Sequence, residues 1–172
     1  MSISENQPSN TGQHDEIIIR DACITDAEAL AAFNQAIARE TENIELRHEV
    51  ISAGVAAILE NPALGFYTVA EHGGKVVGSL MVTTEWSDWR NGVFWWVQSV
   101  YVSANMRRRG IYRRLYNHVK KLADSAPNVC GFRLYVEQDN TVAQSTYQSM
   151  GMNKTAYRIF EDLGSDIDFI EK

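Results

Sequence analysis

Val100-Tyr101-Val102-Ser103-Ala104-Asn105-Met106-Arg107-Arg108-Arg109-Gly110-Ile111-Tyr112 compresses three structural signals into one short stretch. An apolar, β-branched run ends at Val102, a short polar loop follows, and a helix opens near Gly110. The first N–H groups of a helix have no partner inside it and lie at the positive end of its dipole. A glycine there lets a ligand approach the backbone, and Arg107, Arg108 and Arg109 add positive charge. Together they predict a cradle for a diphosphate. The helix end alone is worth about 0.3–1 kcal/mol, up to ~2 when partly buried, so the arginines must supply much of the affinity. Without a ligand the same residues read as a solvated basic turn.

The charge around this stretch sharpens the expectation. From Trp89 to Ala123 there are eight basic residues and no acidic ones, in a chain of 172 residues whose net charge is −6. Between Asp26 and Glu60 seven acids face two arginines. One basic island in an acidic body suggests an anion site beside surfaces that attract a cation. The island is short and the whole chain is acidic, which argues against nucleic-acid binding.

Outward from the island, the elements follow from periodicity and punctuation. Residues 1–14 are polar and read as a tail, leaving residues 15–172 as one domain. Ile17-Ile18-Ile19 reads as a first strand, and Thr25 with Glu28 as a capping box ahead of a helix carrying Leu30, Phe33 and Ile37. A second helix over Leu46–Leu59 stops at Asn61-Pro62. Strands follow at 66–71, 75–84 and 93–102, the first two joined at Gly73-Gly74. Ile111, Leu115, Val119 and Leu122 form one stripe of a helix over 110–123. A strand over Phe132–Val136, a helix over 140–150 ended by Gly151, and a last strand at Tyr157–Phe160 complete the order. Hairpins first and helical connections later imply an α/β (α+β) domain with a central mixed, mostly antiparallel, twisted sheet flanked by helices.

Arg107-x-x-Gly110 after a strand resembles the acyl-CoA-binding motif of the GNAT superfamily of N-acetyltransferases, Gln/Arg-x-x-Gly-x-Gly/Ala, and departs from it at Tyr112, where the pattern has a small residue. Asn140-x-x-Ala143-x-x-x-Tyr147-x-x-x-Gly151-Met152 is similar to the superfamily's later signature, Asn-x-x-Ala-x-x-x-Tyr-x-x-x-Gly-Phe. The resemblance runs from Ile17 to about Phe160. It implies acetyl-CoA as cofactor, an amine as acceptor, and transfer by direct attack in a ternary complex. It places Val100, Tyr101 and Val102 along the pantetheine arm, with a backbone donor for the thioester carbonyl near Val100. Arg107, Arg108, Arg109, Gly110, Ile111 and Tyr112 then lie around the diphosphate, Asn140 against the arm, and Tyr147 as the acid that protonates the thiolate. The spacing agrees with this, since Asn140 and Tyr147 share a helix face ~10 Å apart along the axis. Read alone, Asn140 is an N-cap and Tyr147 a core aromatic.

Acyl transfer needs a neutral amine, and an alkylammonium of pKa near 10.4 carries a cost of ~4–5 kcal/mol at pH 7. Relatives often place a glutamate on the strand before the phosphate loop, but here that strand reads Trp95-Trp96-Val97-Gln98. Gln98 can bond a substrate but cannot take its proton. Glu85 is the nearest carboxylate and the candidate base, or else a solvated strand-end acid. Glu40, Glu42 and Glu45 favour a cationic acceptor. Trp86, Trp89, Trp95 and Trp96 read as core, dimer contact or cleft wall, so a homodimer stays open.

The four histidines and two cysteines have no metal-ligand spacing, and Cys23 and Cys130 read as small buried thiols of a protein in the reducing cytoplasm. No apolar run approaches the ~18–20 residues needed to cross a bilayer. A non-catalytic acyl-CoA sensor on the same fold is the alternative, favoured by the missing strand carboxylate.

Overall fold

A computed structural model describes residues 16–164 and 168–171; the expected tail over residues 1–14 lies outside them. Five strands, β1 (Ile17–Asp21), β2 (Phe66–His72), β3 (Lys75–Ser87), β4 (Gly92–Val102) and β5 (Val129–Arg133), stand in the order β1-β2-β3-β4-β5. The first four pair antiparallel, and β5 lies parallel to β4. That parallel step needs a crossover, supplied by helix α3 (Ile111–Ser125). Helices α1 (Ala27–Glu42) and α2 (His48–Glu60) connect β1 to β2, and α4 (Thr141–Ser149) follows β5.

The sheet is covered on both faces. Side chains alternate along a strand, so Leu80, Val82, Trp95 and Val97 pack under Ile111, Leu115 and Val119 of α3. Tyr67, Val69 and Met81 pack on the opposite face against Leu30, Ala31 and Val55 of α1 and α2. Helix α4 buries none of its residues and ends in a Schellman turn, Met152 N–H on the Tyr147 carbonyl and Gly151 N–H on that of Gln148. Gly151 takes φ +89° there.

Four expectations need correction. The strand after α3 is Val129–Arg133 rather than 132–136, because its ladder partners on β4 are Val93–Trp96. Gly131 belongs to that ladder: a Cβ there would stand 2.9 Å from the Phe94 ring, so any side chain would have to push that ring aside for the two strands to meet. No strand forms at Tyr157–Phe160. Apolar residues fall on both faces of that segment, and Tyr157 and Phe160 are 82% and 94% exposed, with no core to cover. The helix entry is capped earlier than Thr25 and Glu28 suggest. Arg20 of β1 grips the buried Asp26 carboxylate through two bonds of 2.7 and 2.9 Å, and Asp26 accepts from the Cys23 N–H, closing a 3-10 turn over Ile24–Asp26. Finally, Cys23 and Cys130 are free and exposed, one at the start of that turn and the other on strand β5.

Candidate active site

β4 determines where a ligand can enter. Ser99 takes φ +46°, and the β3–β4 register slips between Ser79 and Met81. This is a β-bulge, which bends the strand. The β4–β5 ladder ends at Trp96–Arg133. Among the described residues, Gln98–Val102 therefore has a neighbour on one side only. A strand flank with unpaired backbone donors can bond an extended ligand as another strand would.

The chain then turns through Ala104–Met106 into α3. Gly110 precedes the helix with φ +72°, and nothing lies within 4 Å of where its Cβ would stand. Among the described residues, no N–H from Arg108 through Arg113 meets a hydrogen-bond acceptor. This row of donors at the positive end of a long helix is suited to a diphosphate.

The three arginines are not equivalent. The Arg107 guanidinium bonds the Val102 carbonyl at 2.9 Å and Glu40 at 2.6 Å, and lies over the Tyr101 ring. The Tyr101 hydroxyl donates to the same carboxylate at 3.0 Å. Arg107 holds the Glu40 carboxyl below its usual range, while burial pushes the Tyr101 phenol up. Arg108 and Arg109 form no ion pair among the described residues. Arg114 bonds the Ile17 carbonyl and ties α3 to β1.

Helix α4 meets the start of α3. Asn140 Oδ1 caps it through the Ala143 N–H at 3.0 Å, leaving Nδ2 without a partner among the described residues. The Tyr147 ring meets the Tyr112 ring at 5.6 Å and 70°. Burial raises both phenols above their usual value.

Glu85, Trp96, Gln98 and Arg133 gather on the α1 side of the sheet. Glu85 accepts from Arg133 at 2.6 Å and from the Trp96 indole at 2.5 Å, so both of its oxygens are engaged. Gln98 donates to Thr83 and accepts weakly from Tyr135. Tyr135 lies 6.3 Å from Trp96, and its phenol is pushed up by burial first and then by the charges of Glu42 and Glu161. Glu45 pairs with Arg39, and Glu42 makes no ion pair among the described residues. Trp95 is core, whereas Trp86 and Trp89 are exposed.

Sequence reasoning missed Arg133 and Tyr135 as neighbours of Glu85 and Gln98. Their i, i+2 spacing, which puts both on one face of an extended segment, was the available signal. Nothing local marks Glu40 as the partner of an arginine 67 positions away.

Residues 28–152 match the family model described as acetyltransferase (GNAT) family. The fold is similar to that of a possible acetyltransferase from Clostridium difficile 630, at 44% identity and TM-score 0.79, covering 86% of this chain and 97% of that one. It is also similar to a predicted acetyltransferase with acetyl-CoA from Clostridium acetobutylicum (15% identity, TM-score 0.71, 86% and 96% covered). A third is AAC(6')-Iy in complex with the bisubstrate analog CoA-S-monomethyl-acetylneamine (16%, 0.70, 87% and 99%). No curated protein matches the chain. Among the described residues, no helix is long and apolar enough to cross a membrane.

Proposed function

The chain belongs to the acetyltransferase (GNAT) family, and from that premise we propose that it transfers an acetyl group from acetyl-CoA to the primary amine of a cationic acceptor. The observation that carries this reading is the row of unaccepted N–H groups from Arg108 to Arg113, set beside the unpaired flank of β4, with the half-buried Tyr147 ring in contact with Tyr112 of that same helix start. Such a row fits a diphosphate and an extended amide-bearing arm. When bound, acetyl-CoA supplies an acetyl group activated as a thioester.

In this reading the N–H groups of Gly110, Ile111 and Tyr112, with Arg108 and Arg109, hold the diphosphate. A charge-assisted hydrogen bond is worth about 1.5–3 kcal/mol, so two or three outweigh the helix-end contribution. The charge of Arg107 is already matched by Glu40, and its part is to fix the loop to α1. Val100, Tyr101 and Val102 offer the backbone edge, including the donor for the thioester carbonyl, and Asn140 Nδ2 remains to donate to the arm. Tyr147, kept protonated by burial, gives its proton to the departing sulfur.

In this reading the acceptor side is the surface where the Trp96 and Tyr135 rings lie 6.3 Å apart, with Glu42 near Tyr135 as an acid without an ion-pair partner among the described residues. Aromatic faces and a carboxylate together suit an ammonium-bearing molecule. Glu85, which accepts one bond on each oxygen and keeps further lone pairs, and Gln98 orient the acceptor, which gives up its proton to solvent before attack.

The test is thiol release from acetyl-CoA over a panel of primary amines. Cationic amines should support turnover, and Tyr147→Phe should lower kcat roughly 100-fold or more while CoA still binds. CoA binding without thiol release from any amine would favour the sensor. Failure to bind CoA would remove the reading altogether.

A further inference from the structure

Ser99 takes φ +46° in the middle of β4, a conformation that an L-residue other than glycine disfavours. Such a backbone persists only where its surroundings over-determine it. The β3–β4 register supplies part of the constraint. Ser79 faces Tyr101 and Met81 faces Gln98, which leaves Leu80 alone opposite Ser99 and Val100.

The rest of the constraint comes from the α1 side of the sheet. Tyr67 of β2 packs there with Leu30 and Met81 and is 3% exposed. Its phenol oxygen accepts from Asn34 Nδ2 at 3.2 Å, and the Ser99 side chain approaches the same oxygen. Asn34 is itself tied to its helix, because the same Nδ2 donates to the Leu30 carbonyl at 2.9 Å. A line of polar contacts therefore runs from the backbone of α1 through Asn34 and Tyr67 to the strained residue of β4. A hydroxyl buried this deeply is kept with partners, and those of Tyr67 are one helix residue and the bulge. Phe33 of the same helix meets the Tyr101 ring at 4.8 Å. Helix α1 thus bears on β4 directly at Tyr101 and through Tyr67 at Ser99.

Val100 lies between those two points. Its N–H belongs to the peptide plane that joins it to Ser99, so a Ser99 relaxed to ordinary strand backbone would re-aim that donor. We propose that Tyr67 is a positioning residue for acyl transfer: its buried hydroxyl, held by Asn34, locks Ser99 in the bulge and so aims the Val100 N–H at the thioester carbonyl. The inference rests on the reading of Val100–Val102 as the edge that receives the thioester. No bond or proton changes hands at Tyr67. The donor it aims gains strength as the carbonyl oxygen gains charge during attack, whereas the diphosphate contacts at the start of α3 lie elsewhere.

The test uses the full chain, acetyl-CoA and an amine that supports turnover. Tyr67→Phe keeps the ring in the core and removes only the oxygen. Because complete loss of an oxyanion donor costs about 100- to 1000-fold in kcat, a misaimed one should cost on the order of tenfold or more. The Kd for CoA should stay within about twofold of wild type, since the lost interaction belongs to the transition state. Ser99→Ala removes the hydroxyl that meets Tyr67 and should cost a similar factor, and the double variant should be no worse than either single one. Asn34→Ala, at a half-buried position of α1, acts on the same oxygen from its other side and should show the same pattern, which keeps the test open should Tyr67→Phe fail to fold.

A readout that needs no acceptor is the 13C NMR signal of acetyl-CoA labelled at the thioester carbonyl. It should move downfield on binding to wild type, as a hydrogen bond polarises the carbonyl, and move less on binding to Tyr67→Phe or Asn34→Ala. A residue that only stabilises the fold would leave this signal as it is in wild type. An unchanged carbonyl shift in the variants would overturn the inference and leave the β4 donor standing. So would a loss of kcat that comes with weakened CoA binding, or one that adds in full to the loss in Ser99→Ala. No carbonyl shift on binding to wild type would remove the β4 donor itself, and this inference with it.

Discussion

Replacing Gly110 by alanine separates a structural glycine from a ligand-holding one. Gly110 sits at φ +72°, where an L-residue costs about 1–2 kcal/mol, and its Cβ would enter open space without a clash. For a chain of this length each kcal/mol shifts the melting temperature by about 2–4 °C, so Gly110→Ala should lower it by about 2–8 °C. Gly73, at φ +57° in the β2–β3 turn and likewise unobstructed, is a matched control: Gly73→Ala should lose a similar amount.

The two should part in ligand binding. Relieving the strain at residue 110 rotates the peptide planes beside it and misaims the donors from Arg108 to Arg113. Losing one bond to a charged oxygen costs about 1.5–3 kcal/mol, a rise in Kd of roughly 10- to 150-fold. Calorimetric titration of CoA into both variants, with thermal unfolding measured alongside, is the assay. Equal CoA affinity in Gly110→Ala, Gly73→Ala and wild type would refute the reasoning about this loop.

Three further outcomes follow from the same structure. Asp26→Asn breaks the pair with Arg20, which is one-third exposed, and should cost about 2–3 kcal/mol, below the ~3–5 of a fully buried pair. Arg20 holds the Asp26 carboxyl below its usual value, so its stabilisation is present above the unfolded pKa near ~3.9 and is lost as pH falls through the lower folded value. Unfolding curves between pH 6 and pH 2 (roughly the carboxylate range) should lose part of their acid dependence in the variant. Glu40→Gln removes an exposed ion pair, changes stability by less than about 1 kcal/mol, and frees the Arg107 charge; CoA should bind up to about fivefold tighter at low salt, with the gain fading as salt is added. Leu115→Ala opens a cavity under α3 at a fully buried position and should cost about 2–5 kcal/mol, read as a large drop in denaturation midpoint with the denaturant slope unchanged.

The features legible in the sequence are those encoded within a few residues. The Gly73-Gly74 hairpin, the amphipathic stripe of α3, the Asn140 cap and the Gly151 stop are local signals, and each stands where its pattern put it. The loop before α3 was legible for the same reason, since a strand end, a glycine and a helix start are contiguous. Long-range events were not. Arg133 reaches Glu85 over 48 positions and Arg107 reaches Glu40 over 67, so two candidate site residues were already spoken for by partners that no local pattern names. The start of β5 was misjudged because alternation over 132–136 is stronger than over Val129–Arg133, whereas the Phe94–Gly131 approach that sets the register has no periodic signature. Tyr112 was visible only as a departure from a motif; its ring contact with Tyr147 joins residues 35 positions apart, which no local pattern encodes.

The most direct measurement is a crystal structure of the protein with CoA bound. The account predicts diphosphate oxygens within hydrogen-bond distance of the backbone N–H groups between Arg108 and Arg113, the pantetheine arm along Val100–Val102, and the sulfur beside the Tyr147 hydroxyl. A diphosphate bound elsewhere, or a sulfur far from Tyr147, would contradict it.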